Sequence, residues 1–262
     1  MRDRLEYTGF LIANRSASGR NSAASPHFND SPMREAARRM RSALRDLNAF
    51  VFPRNCAACE NRPFADGFFC EACSRRVAHA DPVVPTRLCP LFAPGLASLR
   101  CLWYTEPGSP VRAAIHAVKY GHCPELAAWL GHRAASLVSE AELLDAVVPL
   151  PIHRSRHLER GFNQAEQLSV GVSERLALPI LLGLRRTVAS ASQTRKTSGT
   201  RRLLAPETFR AAEDVTGLRV LLVDDVVTTG TTLNTAARAL LEAGAASVDG
   251  LAVAVSRRPG AP

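Results

Sequence analysis

The stretch VLLVDDVVTTGTTL at residues 220–233 decides the fold expected for this chain of 262 residues. Its first four residues, at 220–223, are all aliphatic, a run that is typical of a strand buried on both faces of a parallel sheet. Two aspartates and a threonine-rich turn follow, and a helix is predicted over residues 232–243. A buried strand, a polar turn and a helix in this order predict an α/β fold, in which helices flank a parallel sheet.

The turn after this strand carries groups that suit a sugar phosphate. Two neighbouring carboxylates, Asp224 and Asp225, can accept hydrogen bonds from vicinal hydroxyls such as the ribose 2′- and 3′-OH groups. Backbone N–H groups and hydroxyls of the turn can converge on an anion at the positive end of the next helix. A plainer alternative is that Asp224 caps the helix and the threonines only fill a tight loop. The turn residues are Thr228, Thr229, Gly230, Thr231 and Thr232.

The segment resembles the phosphoribosyl pyrophosphate motif of type I phosphoribosyltransferases. That motif has four apolar residues, two acids, three variable residues, Thr or Ser, Gly, any residue, and Thr or Ser. Thr229, Gly230 and Thr232 occupy its last positions. The resemblance implies that the two aspartates are catalytic, because they orient the ribose and stabilise a cationic sugar state. It also implies that the turn at residues 228–232 holds the 5′-phosphate.

A second region, VVPLPIHRSRHLERGFNQAEQ at residues 147–167, carries a cluster of arginines. Residues 146–150 are predicted to form another short buried strand, and a helix is predicted over residues 161–176. The segment between them is predicted to be a loop whose guanidinium groups suit a pyrophosphate, because they match phosphate oxygens bidentately. A solvated, charged face is the alternative interpretation. The three arginines are Arg154, Arg156 and Arg160.

Four cysteines form two C-x-x-C pairs, separated by ten residues, in the stretch CAACENRPFADGFFCEAC at residues 56–73. Two such pairs supply four thiolates, which fold a small loop around one tetrahedral Zn²⁺. Disulfides are the competing interpretation. They are disfavoured in a cytosolic protein, and no secretory signal is recognised in the sequence. The predicted metal ligands are Cys56, Cys59, Cys70 and Cys73.

These three regions, in this order along the chain, are similar to the ComF family of bacterial phosphoribosyltransferase-like proteins. The resemblance covers roughly residues 47–257, with the sequence VKY at residues 118–120 where the family has its LKY signature. It implies that Lys119 lies at the edge of the substrate site. The chain departs from the family at Cys89, which has no partner cysteine, and at Leu204, where an asparagine is usual. The family is associated with competence and DNA uptake.

Charge and composition limit the possible classes of protein. The net charge is +9, and the first 54 residues hold ten arginines against five acids. A basic surface favours polyanions, which include DNA and free phosphates. Hydrophobic residues make up 46% of the chain, and no apolar stretch approaches the ~20 residues that cross a bilayer. We expect a cytoplasmic protein without membrane insertion.

The sequence predicts four parts. Residues 1–32 are expected to be a disordered N-terminal extension and residues 33–52 an amphipathic helix. Residues 53–78 form the predicted zinc knuckle, and residues 95–257 the phosphoribosyltransferase-like domain. A polar loop at residues 187–200 is expected to close over a bound substrate.

Two functions from different classes fit these observations. The first is a phosphoribosyltransferase that binds phosphoribosyl pyrophosphate with Mg²⁺ and passes its sugar to an acceptor that the sequence does not identify. The second is a non-catalytic module that senses phosphoribosyl pyrophosphate or binds DNA or a competence partner. The chain contains no Walker-type GxxxxGK[ST] motif, so ATP hydrolysis is a poor interpretation.

Overall fold

A computed structural model describes residues 55–61, 67–80, 95–121, 123–139, 141–187 and 208–256. The predicted extension at 1–32 and the predicted amphipathic helix at 33–52 lie outside the described residues. Cys89, Leu204 and almost all of the polar loop also lie outside them.

The described residues form six α-helices and six strands. The helices are α1 (Glu71–Ser74), α2 (Pro110–Tyr120), α3 (Pro124–Ala135), α4 (Arg154–Arg160), α5 (Gln164–Leu176) and α6 (Thr231–Glu242). The strands are β1 (Ser98–Thr105), β2 (Ala146–Pro149), β3 (Leu184–Arg186), β4 (Phe209–Ala211), β5 (Arg219–Val227) and β6 (Ser247–Ser256).

The predicted parallel sheet is confirmed. Four strands pair in parallel in the order β1-β6-β5-β2. Successive side chains of β5 point to opposite faces of the sheet, and β5 is buried on both of these faces. Leu221 packs in the core that includes Leu130 of α3 and Leu168 of α5. Leu222 packs in the opposite core, which includes Leu240 of α6. The aliphatic run that begins β5 therefore fills both layers.

Helices α3 and α5 cross at backbone contact. A Cβ atom built on Gly171 would lie 1.8 Å from the carbonyl oxygen of Ala128, and one on Gly131 would lie 2.0 Å from that of Leu168. Such distances leave no room for a methyl group. Each helix therefore presents a glycine to the backbone of the other, and this close approach sets where α5 begins relative to the sheet.

The segment that leaves the cysteine region covers the outer edge of β1. The N–H of Ala80 donates to the carbonyl of Leu102 at 3.1 Å, and the N–H of Tyr104 donates to the carbonyl of Ala78 at 2.8 Å. Because β1 is the edge strand of the sheet, these bonds occupy backbone groups that would otherwise face solvent. The cysteine region is thus joined to the sheet by main-chain hydrogen bonds.

Three details differ from the sequence-based expectation. The arginine segment, predicted to be a loop, is the helix α4, because the ring of His153 caps its start and Gly161, at φ +79°, ends it. The helix predicted over residues 161–176 begins only at Gln164. The antiparallel pair of β3 and β4 was not predicted.

Among the described residues, we find no helix with the length and apolar character needed to cross a membrane.

Candidate functional site

A cleft of about 670 Å³ opens beyond the carboxyl ends of the parallel strands, where open α/β sheets bind their ligands. It brings together most of the predicted site residues from distant parts of the chain. Four of them do not line it: Arg154, Thr229, Gly230 and Thr231. The predicted residues that line the cleft are Lys119, Arg156, Arg160, Asp224, Asp225, Thr228 and Thr232.

The two acids lie within β5 and not after its end, because the strand continues to Val227. The neighbouring strand β2 stops where Pro149 pairs with Val223. From Asp224 onward, β5 therefore pairs with β6 alone, and its other edge is free of β2. Both carboxylates line the cleft at this step in the sheet.

Burial raises the pKa of Asp224 to about 7, and the negative charge of Asp225 adds to this rise. The N–H of Asp225, which donates to Asp224 Oδ1 at 2.8 Å, opposes it. The positive charges of Lys119 and Arg186 also oppose it. The pair is thus a concentrated negative charge in a partly desolvated site, which suits a ligand that develops positive charge or donates hydroxyl protons.

Lys119 forms an ion pair with the acidic pair. Its Nζ atom lies 2.8 Å from Asp225 Oδ2, and 25% of the lysine side chain is exposed. Lys119 belongs to the last turn of α2, where a cation is favoured by the negative end of the helix dipole. The helix and the aspartate therefore hold the ammonium group at the wall of the cleft.

The threonine-rich turn leads into α6 through Gly230, which is the N-cap residue at φ +73°. A glycine has no side chain to bond the N–H groups of the first turn, and no side-chain cap is formed. Asp224 does not cap α6, so the plainer alternative for this aspartate is wrong. The hydroxyls of Thr229 and Thr231 lie 3.0 Å apart, and Thr232 lines the cleft. The arrangement offers hydroxyls and a helix N-terminus to an anion.

Three arginines form a wall of the same cleft that holds the acids. Arg156 and Arg160 come from α4, and Arg186 comes from β3. The guanidinium of Arg160 donates to Gln164 Oε1 at 3.1 Å and to the hydroxyl of Tyr120 at 3.3 Å. These contacts hold Arg160 in one orientation beside the positive charge of Arg156.

Arg186 was missed by the sequence analysis. Its guanidinium carbon lies 5.4 Å from the centre of the Phe209 ring, and burial, followed by the charge of Arg156, lowers the pKa of Arg186. The only signal in the sequence is the doublet Arg185 and Arg186 after an apolar segment. That doublet is short, and the pairing partner of β3 begins more than twenty residues later.

Three buried donor atoms in this wall have no hydrogen-bond partner among the described residues. They are the Nε atoms of Arg160 and Arg186 and the Nε2 atom of Gln164. Buried donors without a partner are rare in folded proteins. The wall is therefore short of acceptors, which fits a site for a ligand rich in phosphate oxygens.

The cysteine cluster lies in a separate part of the chain. The four Sγ atoms of Cys56, Cys59, Cys70 and Cys73 all lie within 4.8 Å of one another, and none of them forms a disulfide. Four thiolates about 2.3 Å from a central ion would stand about 3.8 Å apart. The cluster is therefore compatible with a zinc ribbon that binds one metal ion.

Backbone N–H groups point at the sulfur of Cys56. Those of Ala58 and Cys70 donate to it at 3.5 and 3.4 Å. Burial works against ionisation of Cys56, but these donors lower its pKa to about 6. Burial raises the pKa of Cys73 to about 12. N–H donors that stabilise a thiolate are what a metal-binding knuckle requires.

Comparison with known proteins agrees with this geometry. Residues 163–261 match the family described as the phosphoribosyl transferase domain, and this match contains the acids, the turn and the arginine of β3. The DNA utilization protein YhgH of Salmonella typhimurium is 31% identical over 196 residues, which cover 68% of this chain and 86% of that protein.

Two competence proteins are also similar. Competence protein F of Haemophilus influenzae is 33% identical over 120 residues, covering 44% of this chain and 52% of that protein. Competence protein ComFC of Bacillus subtilis is 37% identical over 102 residues, which cover 38% of this chain and 40% of that protein. The fold and the matched domain are of the phosphoribosyltransferase type. The chain belongs to the ComF family of phosphoribosyltransferase-like proteins.

Proposed function

We propose that this protein binds phosphoribosyl pyrophosphate in the 670 Å³ cleft and acts as a phosphoribosyltransferase. The observation that carries the proposal is that one cleft is lined both by a pair of acids and by three arginines. A sugar that carries a phosphate at one end and a pyrophosphate at the other needs both kinds of group.

Each part of the ligand has a proposed partner. Asp224 and Asp225 accept the ribose hydroxyls and stabilise positive charge on the sugar. Thr228 and Thr232, the two turn residues that line the cleft, hold the 5′-phosphate through their hydroxyls, beside the N-terminus of α6. Arg156 and Arg160 neutralise the pyrophosphate. Arg154 lies outside the cleft wall, so we assign it no contact with the ligand.

The proposed reaction is pentosyl transfer. The bond between C1 of the ribose and the pyrophosphate oxygen breaks, and its electron pair leaves on the pyrophosphate. A lone pair of the acceptor forms the new bond at C1, and the acceptor loses a proton. Mg²⁺ that enters with the substrate would supply charge neutralisation for the leaving group.

For the cysteine cluster we propose one structural Zn²⁺. Its support is the set of four sulfur atoms within 4.8 Å of one another and the N–H donors to Cys56. Free thiols are typical of a reducing compartment, so we also propose that the protein works in the cytoplasm.

Binding is tested by calorimetry with phosphoribosyl pyrophosphate and Mg²⁺. We expect heat of binding for the wild type and at least a tenfold weaker affinity for the double variant Asp224→Ala, Asp225→Ala. Pyrophosphate release with a panel of nucleobases and amines then tests turnover. Absence of heat with the wild type would contradict the proposal.

A second function is favoured by the names of the relatives, which refer to DNA utilization and competence. In this alternative the cleft senses phosphoribosyl pyrophosphate without turnover, and the protein binds DNA or a competence partner. Tight binding without turnover by any acceptor, together with a salt-dependent DNA shift, would favour it.

A further inference from the structure

Lys119 is the one residue whose cation pairs with the acids of the cleft, in the part of the chain that the structure describes. Its Nζ lies 2.8 Å from Asp225 Oδ2, and only 14% of the aspartate side chain is exposed. The contact is therefore a shielded ion pair, in which the ammonium covers one oxygen of the carboxylate.

The identity of this cation is informative. Only two of the 33 basic residues of the chain are lysines, Lys119 and Lys196. Arginine is a planar fork that suits phosphate, whereas lysine is a compact point charge. The arginines Arg156, Arg160 and Arg186 line the same cleft. The cation that pairs with Asp225 is thus a compact point charge, as a small metal ion is.

The same carboxylates are ligands of the kind that Mg²⁺ prefers, since hard divalent ions bind oxygen. A free divalent ion that approached Asp225 would meet the ammonium at hydrogen-bond distance. It would have to displace Lys119 or stand beside a like charge, and Mg²⁺ gives up its water reluctantly. The ion pair therefore disfavours metal that arrives alone.

We propose that Lys119 is a resident counter-cation that keeps free divalent metal off Asp224 and Asp225, so that metal enters the cleft only together with the pyrophosphate group of the substrate. The entry of metal together with pyrophosphate rests on the proposed function, whereas the exclusion of free metal by Lys119 does not. An entering pyrophosphate offers Lys119 new acceptor oxygens, which eases its release from Asp225.

The test uses Mn²⁺ as the probe, without substrate, on the full-length protein loaded with zinc. Bound Mn²⁺ is measured from the loss of the free-ion signal in electron paramagnetic resonance. We expect Lys119→Met to bind Mn²⁺ at least tenfold more tightly than the wild type, because it removes the charge and keeps most of the length of the side chain. Lys119→Arg keeps the charge and is expected to behave like the wild type.

A double variant shows where the ion binds. Lys119→Met combined with Asp225→Asn is expected to lose the gained affinity. The proposal is overturned if the wild type binds Mn²⁺ as tightly as Lys119→Met, or if the double variant binds as tightly as the single one. Lys119→Gln, checked by tryptophan fluorescence for native folding, replaces the methionine variant if that variant does not fold.

A parallel titration with phosphoribosyl pyrophosphate present separates the two proposals. The wild type is expected to take up more Mn²⁺ under this condition than the same concentration of phosphoribosyl pyrophosphate binds without protein. Failure to do so would count against substrate binding, while the titration without substrate still decides the role of Lys119.

Discussion

At the scale of single residues, Asp224 illustrates how a buried acid lowers stability. Its pKa is raised to about 7, so between pH 4 and 7 the folded protein keeps a proton that the unfolded chain has lost. Unfolding releases that proton, and stability therefore falls as the pH rises through this range. The carboxylate to which we assign an anionic role in the proposed reaction is thus held where the fold disfavours its charge.

We expect Asp224→Asn to raise the free energy of unfolding at pH 8, by on the order of a few kcal/mol, and to have a smaller effect at pH 4. Urea unfolding of the wild type and variant at both pH values is the measurement. Asp214 is a matched control, because hydrogen bonds from Thr216 lower the pKa of that exposed acid. Asp214→Asn should stabilise at neither pH. Equal unfolding curves for the wild type and Asp224→Asn at pH 8 would contradict the prediction.

Arg186 is the residue that the structure adds to the candidate site. If the arginine wall binds pyrophosphate, Arg186→Gln should weaken binding of phosphoribosyl pyrophosphate by roughly 10- to 100-fold, the loss typical of a hydrogen bond to a charged group. The neighbouring Arg185 is exposed and does not line the cleft. Arg185→Gln is therefore the control and should bind within about twofold of the wild type. Similar affinities of both variants in calorimetry would remove Arg186 from the site.

At the scale of elements, the contact between α3 and α5 is the point at which a small change has the largest effect. Replacing glycine by alanine within a helix normally stabilises by about 1 kcal/mol. At Gly171 the added methyl would lie 1.8 Å from the carbonyl oxygen of Ala128. The helices must then separate, and this separation shifts the start of α5, where Gln164 contacts Arg160.

We therefore expect Gly171→Ala to destabilise the protein by ~1–3 kcal/mol or more, measured by urea unfolding. Glu174→Ala is the control on the same helix, since Glu174 is exposed and its replacement should change stability by less than about 0.5 kcal/mol. A Gly171→Ala variant that is as stable as the wild type would show that the two helices can move apart freely.

The elements also show what a sequence can and cannot indicate. The acids, the turn and α6 follow one another directly, so local patterns were enough to predict them. Helix α4 has no buried residue, and hence no apolar periodicity, so it was predicted to be a loop. Arg186 joins the site only through a pairing between β3 and β4, which no local pattern reports.

At the scale of the whole molecule, the cysteine cluster and the sheet share one hydrophobic core. The two tryptophans of the chain, Trp103 and Trp129, lie where the cysteine cluster packs on the sheet. The ring centre of Phe69 lies 5.8 Å from that of Trp103 and 6.0 Å from that of Trp129. A change in the cluster should therefore reach the core of the larger domain.

Removal of metal by a chelator is expected to shift tryptophan emission to longer wavelength and to lower Tm by on the order of 5–10 °C. Cys59→Ser should produce the same changes without chelator. Cys123 lies outside the cluster, so Cys123→Ser serves as the control. Its tryptophan emission is expected to match that of the wild type. Unchanged emission after complete metal removal, verified by elemental analysis, would show that the cluster does not support the core.

The hydrogen bonds from residues 78–80 to β1 bear on how the protein can be divided. A fragment that began at residue 95 would keep every proposed ligand contact and yet lose these bonds, which leaves the backbone of Leu102 and Tyr104 open at the edge of β1. Open strand edges pair with neighbouring chains. The fragment is therefore expected to self-associate in solution while the proposed ligand contacts stay in place. The cysteine cluster and the segment that follows it would then protect the protein against aggregation, besides being bound to β1.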